Sequence, residues 1–211
     1  MSEPTTMQIA AARLAASWLL WYPDEELLAR LDGIAAMTEE LPDHLAAPLS
    51  TFLMHVSDTP LVELQAHYVS VFDMKRKACP YLSYWTDGDT RNRGTAILRF
   101  QQAYRAFGFD PGTQELADHL CVVLEFAALG DALTGDALLA EHQGPIRLLR
   151  DALGKLGSAY AHVLDLVIAT LPELTPEIRE RMAALAAQGP PVEQVGLEPF
   201  ALTLDTVGGR R

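Results

Sequence analysis

The stretch LAAPLSTFLMHVSDTPLVELQAHYVSVF, residues 45–72, decides the fold class. Leu45, Leu49, Phe52 and Val56 recur at three and four, as do Leu61, Leu64, Tyr68 and Phe72 after them. That spacing follows the 3.6-residue turn of a helix and not the alternation that a half-buried strand requires. Between the two runs, Thr59 followed by Pro60 reads as an N-cap with proline at the first helical position, so two helices with a break are predicted.

The same pattern extends in both directions. Toward the N-terminus, Ile9, Leu14, Trp18 and Trp21 share much of one face of a first helix ended by Pro23. Asp24 can cap a second helix carrying Leu27, Leu28, Leu31 and Ile34. Toward the C-terminus, residues 73–88 read as a connecting loop whose aromatics, Tyr81, Tyr84 and Trp85, should pack on something. Asp89 or Thr90 can cap the next helix, which carries Ile97, Leu98, Phe100 and Tyr104 and stops at Gly108. A helix over about 114–129 follows Pro111 and Gly112. Pro145 opens a long helical stretch ending at Pro172, with Gly154 and Gly157 placed to bend or break it. Thr175 and Pro176 start a last helix, closed by Gly189, Pro190 and Pro191. Strand signals are nearly absent and there is no fixed-period repeat. The expectation is an all-α, single-domain helical globule over residues 1–188, with 189–211 as a flexible C-terminal tail.

Composition narrows the function. Of 211 residues, 49% are hydrophobic and 21% charged, which is enough apolar surface for a core. The formal net charge of -12 excludes a general nucleic-acid binder, because such a surface must displace counterions from phosphates. Cys79 and Cys121 stand alone, without the companions that a disulfide framework or a four-ligand zinc site needs. The N-terminus places Glu3 where a signal peptide needs positive charge, and no run reaches the length of a membrane span. A soluble, cytoplasmic protein with no direct membrane insertion is expected.

Charge is uneven along the chain. Residues 75–105 hold Lys75, Arg76, Lys77, Arg91, Arg93, Arg99 and Arg105 against Asp87 and Asp89 only. This basic island either binds phosphates or an acidic surface, or neutralises neighbouring acidic helices. The acidic remainder favours a basic ligand, such as an arginine-bearing peptide.

Catalytic signatures are missing: there is no phosphate loop, dinucleotide-binding glycine pattern, HExxH or GxSxG. No two of the six histidines stand three or four apart, so no metal site is assigned. No catalytic residue is assigned either. The most unusual segment is ELADHLCVVLEFAAL, residues 115–129. On a continuous helix Asp118 and Glu125 would share one face with Val122 between them, a seat for a helical peptide with basic ends. The two carboxylates would equally serve as general acid and base, but nothing nearby supplies a nucleophile or metal. Alternatively, Asp118 and His119 pair with helix ends or with the basic island.

The stretch from Tyr68 to Phe126 resembles the NarJ family, the nitrate reductase molybdenum cofactor assembly chaperones, also called the delta subunit. The matching residues are Tyr68, Phe72 and Asp73, the triplet Lys75 to Lys77, the aromatic run Tyr81 to Trp85, the string DGDTRNRG from Asp87 to Gly94, and Asp118, His119 and Leu120. The match departs at Asn92, inside a string that is usually richer in arginine, and at Ala117, where the family tends to have proline; alanine there would let the helix begin a turn earlier.

The resemblance implies an all-helical chaperone, not an enzyme. It would bind the N-terminal peptide of the apo catalytic (alpha) subunit of a respiratory nitrate reductase while the molybdenum dinucleotide cofactor is inserted, holding no cofactor permanently. Partner contacts are expected at Tyr68, Phe72, Tyr81, Trp85, Asp118, His119, Val122 and Glu125. Cofactor or client contacts are expected at Lys75, Arg76, Asp87, Asp89, Arg91 and Arg93, and the protein as a monomer or weak dimer. The alternatives are a chaperone of the same fold for a perchlorate, selenate or sulfide-oxidising molybdoenzyme, a permanent structural subunit, or a helical nucleotide hydrolase.

Overall fold

The computed structural model describes residues 3–88, 90–112, 115–171 and Pro176. The expected last helix, apart from Pro176, the tail from Gly189, and Asp89 lie outside the described residues.

The chain folds into ten α-helices among the described residues: α1 (Thr6–Leu19), α2 (Glu25–Glu39), α3 (Asp43–Asp58), α4 (Leu61–Tyr68), α5 (Leu82–Asp87), α6 (Arg91–Ala106), α7 (Leu120–Leu129), α8 (Ala132–Glu141), α9 (Gln143–Lys155) and α10 (Tyr160–Ala169). A wider π-type turn, Val69–Asp73, continues α4, and a 3-10 turn spans Arg76–Ala78. Helix α7 lies at the centre, with α1 along one side and α8 on another; α10 joins α1, α3 and α9. The sequence of α7, LCVVLEFAAL, is apolar on nearly every side, as an enclosed helix must be.

The 45–72 pattern holds except at Leu61, which is only half-buried. Leu45, Leu49, Phe52, Val56, Leu64, Tyr68 and Phe72 are all buried. Phe52, Tyr68 and Phe72 gather around Tyr160 of α10, with ring centroids 5.0, 5.8 and 4.9 Å away. The Tyr68 hydroxyl donates to the Leu20 carbonyl at 3.1 Å, which satisfies the polar end of a buried ring. Thr59, however, is no N-cap for α4: its hydroxyl donates back to the His55 carbonyl of α3.

Helix α1 differs from its periodic reading. Ile9, Leu14, Trp18 and Trp21 are only half-buried, while Ala12, Ala15, Ala16 and Leu19 form the core face. Small side chains let α1 and α7 approach closely, close enough for the Ser17 hydroxyl to donate to the Cys121 carbonyl at 2.9 Å. Arg13 is buried on the same helix. Its guanidinium donates to the carbonyl and hydroxyl of Thr170 and pairs with Asp136 at 2.6 Å, so the buried charge is compensated.

Three segments depart from the expected boundaries. Residues 82–87 are not loop but the short helix α5, with Leu82, Ser83 and Trp85 buried. Helix α7 begins at Leu120, not near 114, despite Ala117. The chain before it instead pairs with the aromatic loop: Leu82 N–H donates to Asp118 O at 2.9 Å and Leu120 N–H to Pro80 O at 3.0 Å, a single antiparallel bridge. Helix α8, unassigned by periodicity, is capped by Asp131, whose carboxylate accepts from Thr134 N–H at 2.8 Å. Its Gly135 is needed for packing, since a Cβ there would come within 2.4 Å of Ala127. The 145–172 stretch breaks at Gly157, which has a φ of 66° that favours glycine.

Candidate functional site

Helix α1 ends in the run Trp18, Trp21 and Tyr22, and α2 begins immediately with Asp24 as its cap. The tight turn between them leaves the three aromatics half-exposed beside the N-terminal turns of α2. Opposite stand Glu115, just before α7, and Glu125 within it. Together they enclose an open cleft of about 510 Å³ with aromatic walls and four carboxylates, Asp24, Glu26, Glu115 and Glu125.

Each wall is anchored from behind. Trp21 stacks on the buried His119 at 6.2 Å, and Tyr22 meets Tyr68 edge-on at 5.5 Å. Glu115 accepts a hydrogen bond from the Tyr81 hydroxyl at 2.8 Å. Arg30 is the one cation lining the cleft; it pairs with Glu26 and lies over the Trp18 ring at 5.3 Å. Burial raises the Glu125 pKa, and Arg30 partly opposes that rise. A desolvated carboxylate of this kind gains from an incoming cation.

The expected acidic strip of Asp118, Val122 and Glu125 is corrected by this geometry. Asp118 precedes α7 and is 0% exposed, and Val122 is 1% exposed. Only Glu125 reaches the cleft. Asp118 instead accepts from the Ser83 hydroxyl at 2.5 Å and lies 3.8 Å from Arg93, so the pairing with the basic island is the one that forms. The Arg93 guanidinium spreads over the rings of Tyr81 and Tyr84, at 5.4 and 5.8 Å. Tyr68, Phe72 and Trp85, expected as partner contacts, are buried in the core.

His119 serves the fold. As the N-cap of α7, its Nδ1 accepts from the Cys121 N–H at 3.2 Å and lies 2.7 Å from Cys121 Sγ, which requires a neutral ring. Burial pushes its pKa down to about 4, and the Cys121 thiol well up. The unfolded chain takes up a proton near pH 6.5 while the folded one resists until about 4, so stability is full above that window and lost as pH falls through it. This group alone is expected to remove roughly 2.5 kcal/mol between pH 7 and 4.5. Urea unfolding at the two pH values checks it, and His119→Asn, which keeps a capping side chain, should show a smaller difference.

The remaining basic-island residues lie elsewhere. Lys75, Arg76 and Arg91 are exposed, and Asp87 is half-buried beside Thr86, whose hydroxyl donates to it at 2.6 Å. The cleft residues that periodicity missed, Trp18, Trp21, Tyr22, Asp24 and Glu26, did carry a signal: a tryptophan-rich helix end running straight into DEE. Among the described residues no three His, Cys, Asp or Glu side chains are grouped to hold a metal ion, and no helix is long and apolar enough to cross a membrane.

A family model described as nitrate reductase delta subunit matches residues 34–164. The chain belongs to that family. A Bacillus subtilis protein named "Probable nitrate reductase molybdenum cofactor assembly chaperone NarJ" is 32% identical over 164 residues, 76% of this chain and 88% of its own length. The Escherichia coli chaperone NarJ is 31% identical over 159 residues, 72% of this chain and 66% of that protein. NarX of Mycobacterium tuberculosis, a nitrate reductase-like protein, is 42% identical over 162 residues, 74% of this chain, but the chain spans only 23% of its length. In fold, the family member resembles a crystal structure from Archaeoglobus fulgidus described as a redox enzyme maturation protein, with a TM-score of 0.56, 21% identity, and coverage of 80% of this chain and 94% of that one.

Proposed function

We propose that this protein is a chaperone of nitrate reductase maturation that receives the N-terminal segment of the apo catalytic subunit in the cleft between α1, α2 and α7. The observation that carries the reading is the pairing of aromatic walls with four carboxylates in one open groove. An amphipathic helix with basic residues fits such a groove by placing its apolar stripe on Trp18 and Trp21 and its cations against Glu115 and Glu125. The names of the B. subtilis and E. coli relatives support the client and the step, insertion of the molybdenum cofactor. The protein holds the segment in the cytoplasm, before membrane assembly, and keeps no cofactor of its own.

Such a chaperone acts by differential affinity. It must bind the apo-enzyme better than the mature one, because a ligand with equal affinity for two states shifts neither. No bond is made or broken by the chaperone in this step.

Calorimetric titration with a peptide copying the first ~15 residues of the catalytic subunit, about four helical turns, tests the reading. Saturable one-to-one binding that weakens at high salt is expected. Absence of binding at both low and high salt would redirect the assignment to another molybdoenzyme client.

A further inference from the structure

We propose that the outer stripe of α6 docks into the acidic cleft of a second copy of this chain. Helix α6 carries four arginines and no carboxylate, in a chain whose net charge is -12. Arg93 turns inward over Tyr81 and Tyr84, and Arg99 lies 3.4 Å from Glu141. Arg91 and Arg105 are exposed and make no ion pair with a described residue. Leu98 stands midway between them and is 52% exposed. At 1.5 Å per residue the two arginine positions are roughly 21 Å apart on one helical stripe, Arg91, Thr95, Leu98, Gln102 and Arg105.

That length decides the kind of partner. Two arginines so far apart do not converge on one phosphate, but they suit a surface that offers several separate carboxylates with apolar side chains among them. The cleft has that chemistry: carboxylates on both walls, Asp24 and Glu26 facing Glu115 and Glu125, with Trp18 and Trp21 to receive a leucine. The general repulsion between two acidic copies is screened beyond about 8–10 Å near physiological salt, whereas arginine–carboxylate pairs act at contact. Because stripe and cleft are different surfaces, the contact is heterologous and closes only if two copies exchange stripes. It would shield Leu98 and the cleft between clients. The competition with a client peptide rests on the function proposed above; the self-association does not.

Sedimentation velocity of the full chain over a wide concentration range, at 0.1 M and 1 M salt, tests the proposal. Concentration-dependent association at 0.1 M that weakens at 1 M is expected. Arg91→Glu with Arg105→Glu should weaken association at least tenfold, and so should Glu115→Lys with Glu125→Lys. An equimolar mixture of the two variants should associate again, because the acidic stripe of one meets the basic cleft of the other. Circular dichroism checks that each variant folds; if the lysine pair does not, Glu115→Gln with Glu125→Gln replaces it, keeping an acceptor for the Tyr81 hydroxyl, and should weaken association severalfold. A monomer at every concentration, association that no variant weakens, or a charge-swapped mixture no stronger than its parts would each overturn the proposal. Failure of the client peptide to bind would leave it standing.

Discussion

Replacing Glu115 and Glu125 together by lysine is expected to weaken binding of the client's N-terminal peptide about 30- to 100-fold, roughly 2 to 3 kcal/mol at 1.4 kcal/mol per tenfold change. A rim pair in water contributes only about 0.2 to 1 kcal/mol, so two exposed pairs would not reach that figure. Glu125 is half-buried, and burial raises its pKa, which means that its charged form is poorly solvated where it stands. Partly desolvated pairs across an interface couple by about 1.5 kcal/mol or more, and reversal adds repulsion to the lost attraction. Glu115 is fixed by the Tyr81 hydroxyl, so it presents its charge with little ordering cost. Calorimetry on variants verified as folded decides the matter. Asp118→Asn is the control: with that carboxylate fully enclosed, affinity should change less than about twofold, and a large loss there together with none at Glu115 and Glu125 would relocate the site.

Asp118→Ala is expected to destabilise the fold by about 3 kcal/mol, because it strands a buried network and not merely one bond. The carboxylate accepts from Ser83, and both side chains are 0% exposed. Removing it leaves the Ser83 hydroxyl without its acceptor and the Arg93 guanidinium, 18% exposed, without the carboxylate that lies 3.8 Å from it. Loss of one partner of a buried pair usually costs about 3 to 5 kcal/mol; the residual exposure of Arg93 and its seat over two tyrosine rings place this case at the low end. Urea unfolding should show a lower midpoint with an unchanged slope. Asp118→Asn, which still accepts from Ser83, should cost less; equal losses for the two variants would show that the whole cost lies in the charge toward Arg93, and no loss for asparagine would show that this charge contributes nothing.

Both predictions turn on one displacement between sequence and structure. In the sequence, Asp118 and Glu125 are seven apart in a run that reads as continuous helix, which puts them on one face. In the folded chain, residues 80–82 pair with 118–120 and delay the helix to Leu120. That pairing joins positions more than thirty residues apart, and nothing in the local pattern of either segment announces it. The family string around Asp87 to Gly94 was legible because it is a contiguous string. The partners of its Arg93 were not, since Tyr81, Tyr84 and Asp118 come to it from other segments.

The cleft was hidden for a related reason. Trp18 and Trp21 follow the helical period and so read as core, but alanines on α1 take the core position because only small side chains let α1 lie close to α7. The displaced tryptophans then become walls of a groove whose other side comes from Glu115 and Glu125, about a hundred residues later.

Properties set within a few turns of chain were readable from the residues alone: helices at 3.6-residue spacing, caps at Asp24 and Thr90, the break at Gly157, the uneven charge and the family string. Tertiary structure alone decided which periodic face is buried, which carboxylate is sealed with Ser83 and Arg93, and which carboxylates open onto the aromatic cleft. Hydrogen bonds and backbone dihedrals act between neighbours in the chain, whereas burial is settled only by what packs against a face.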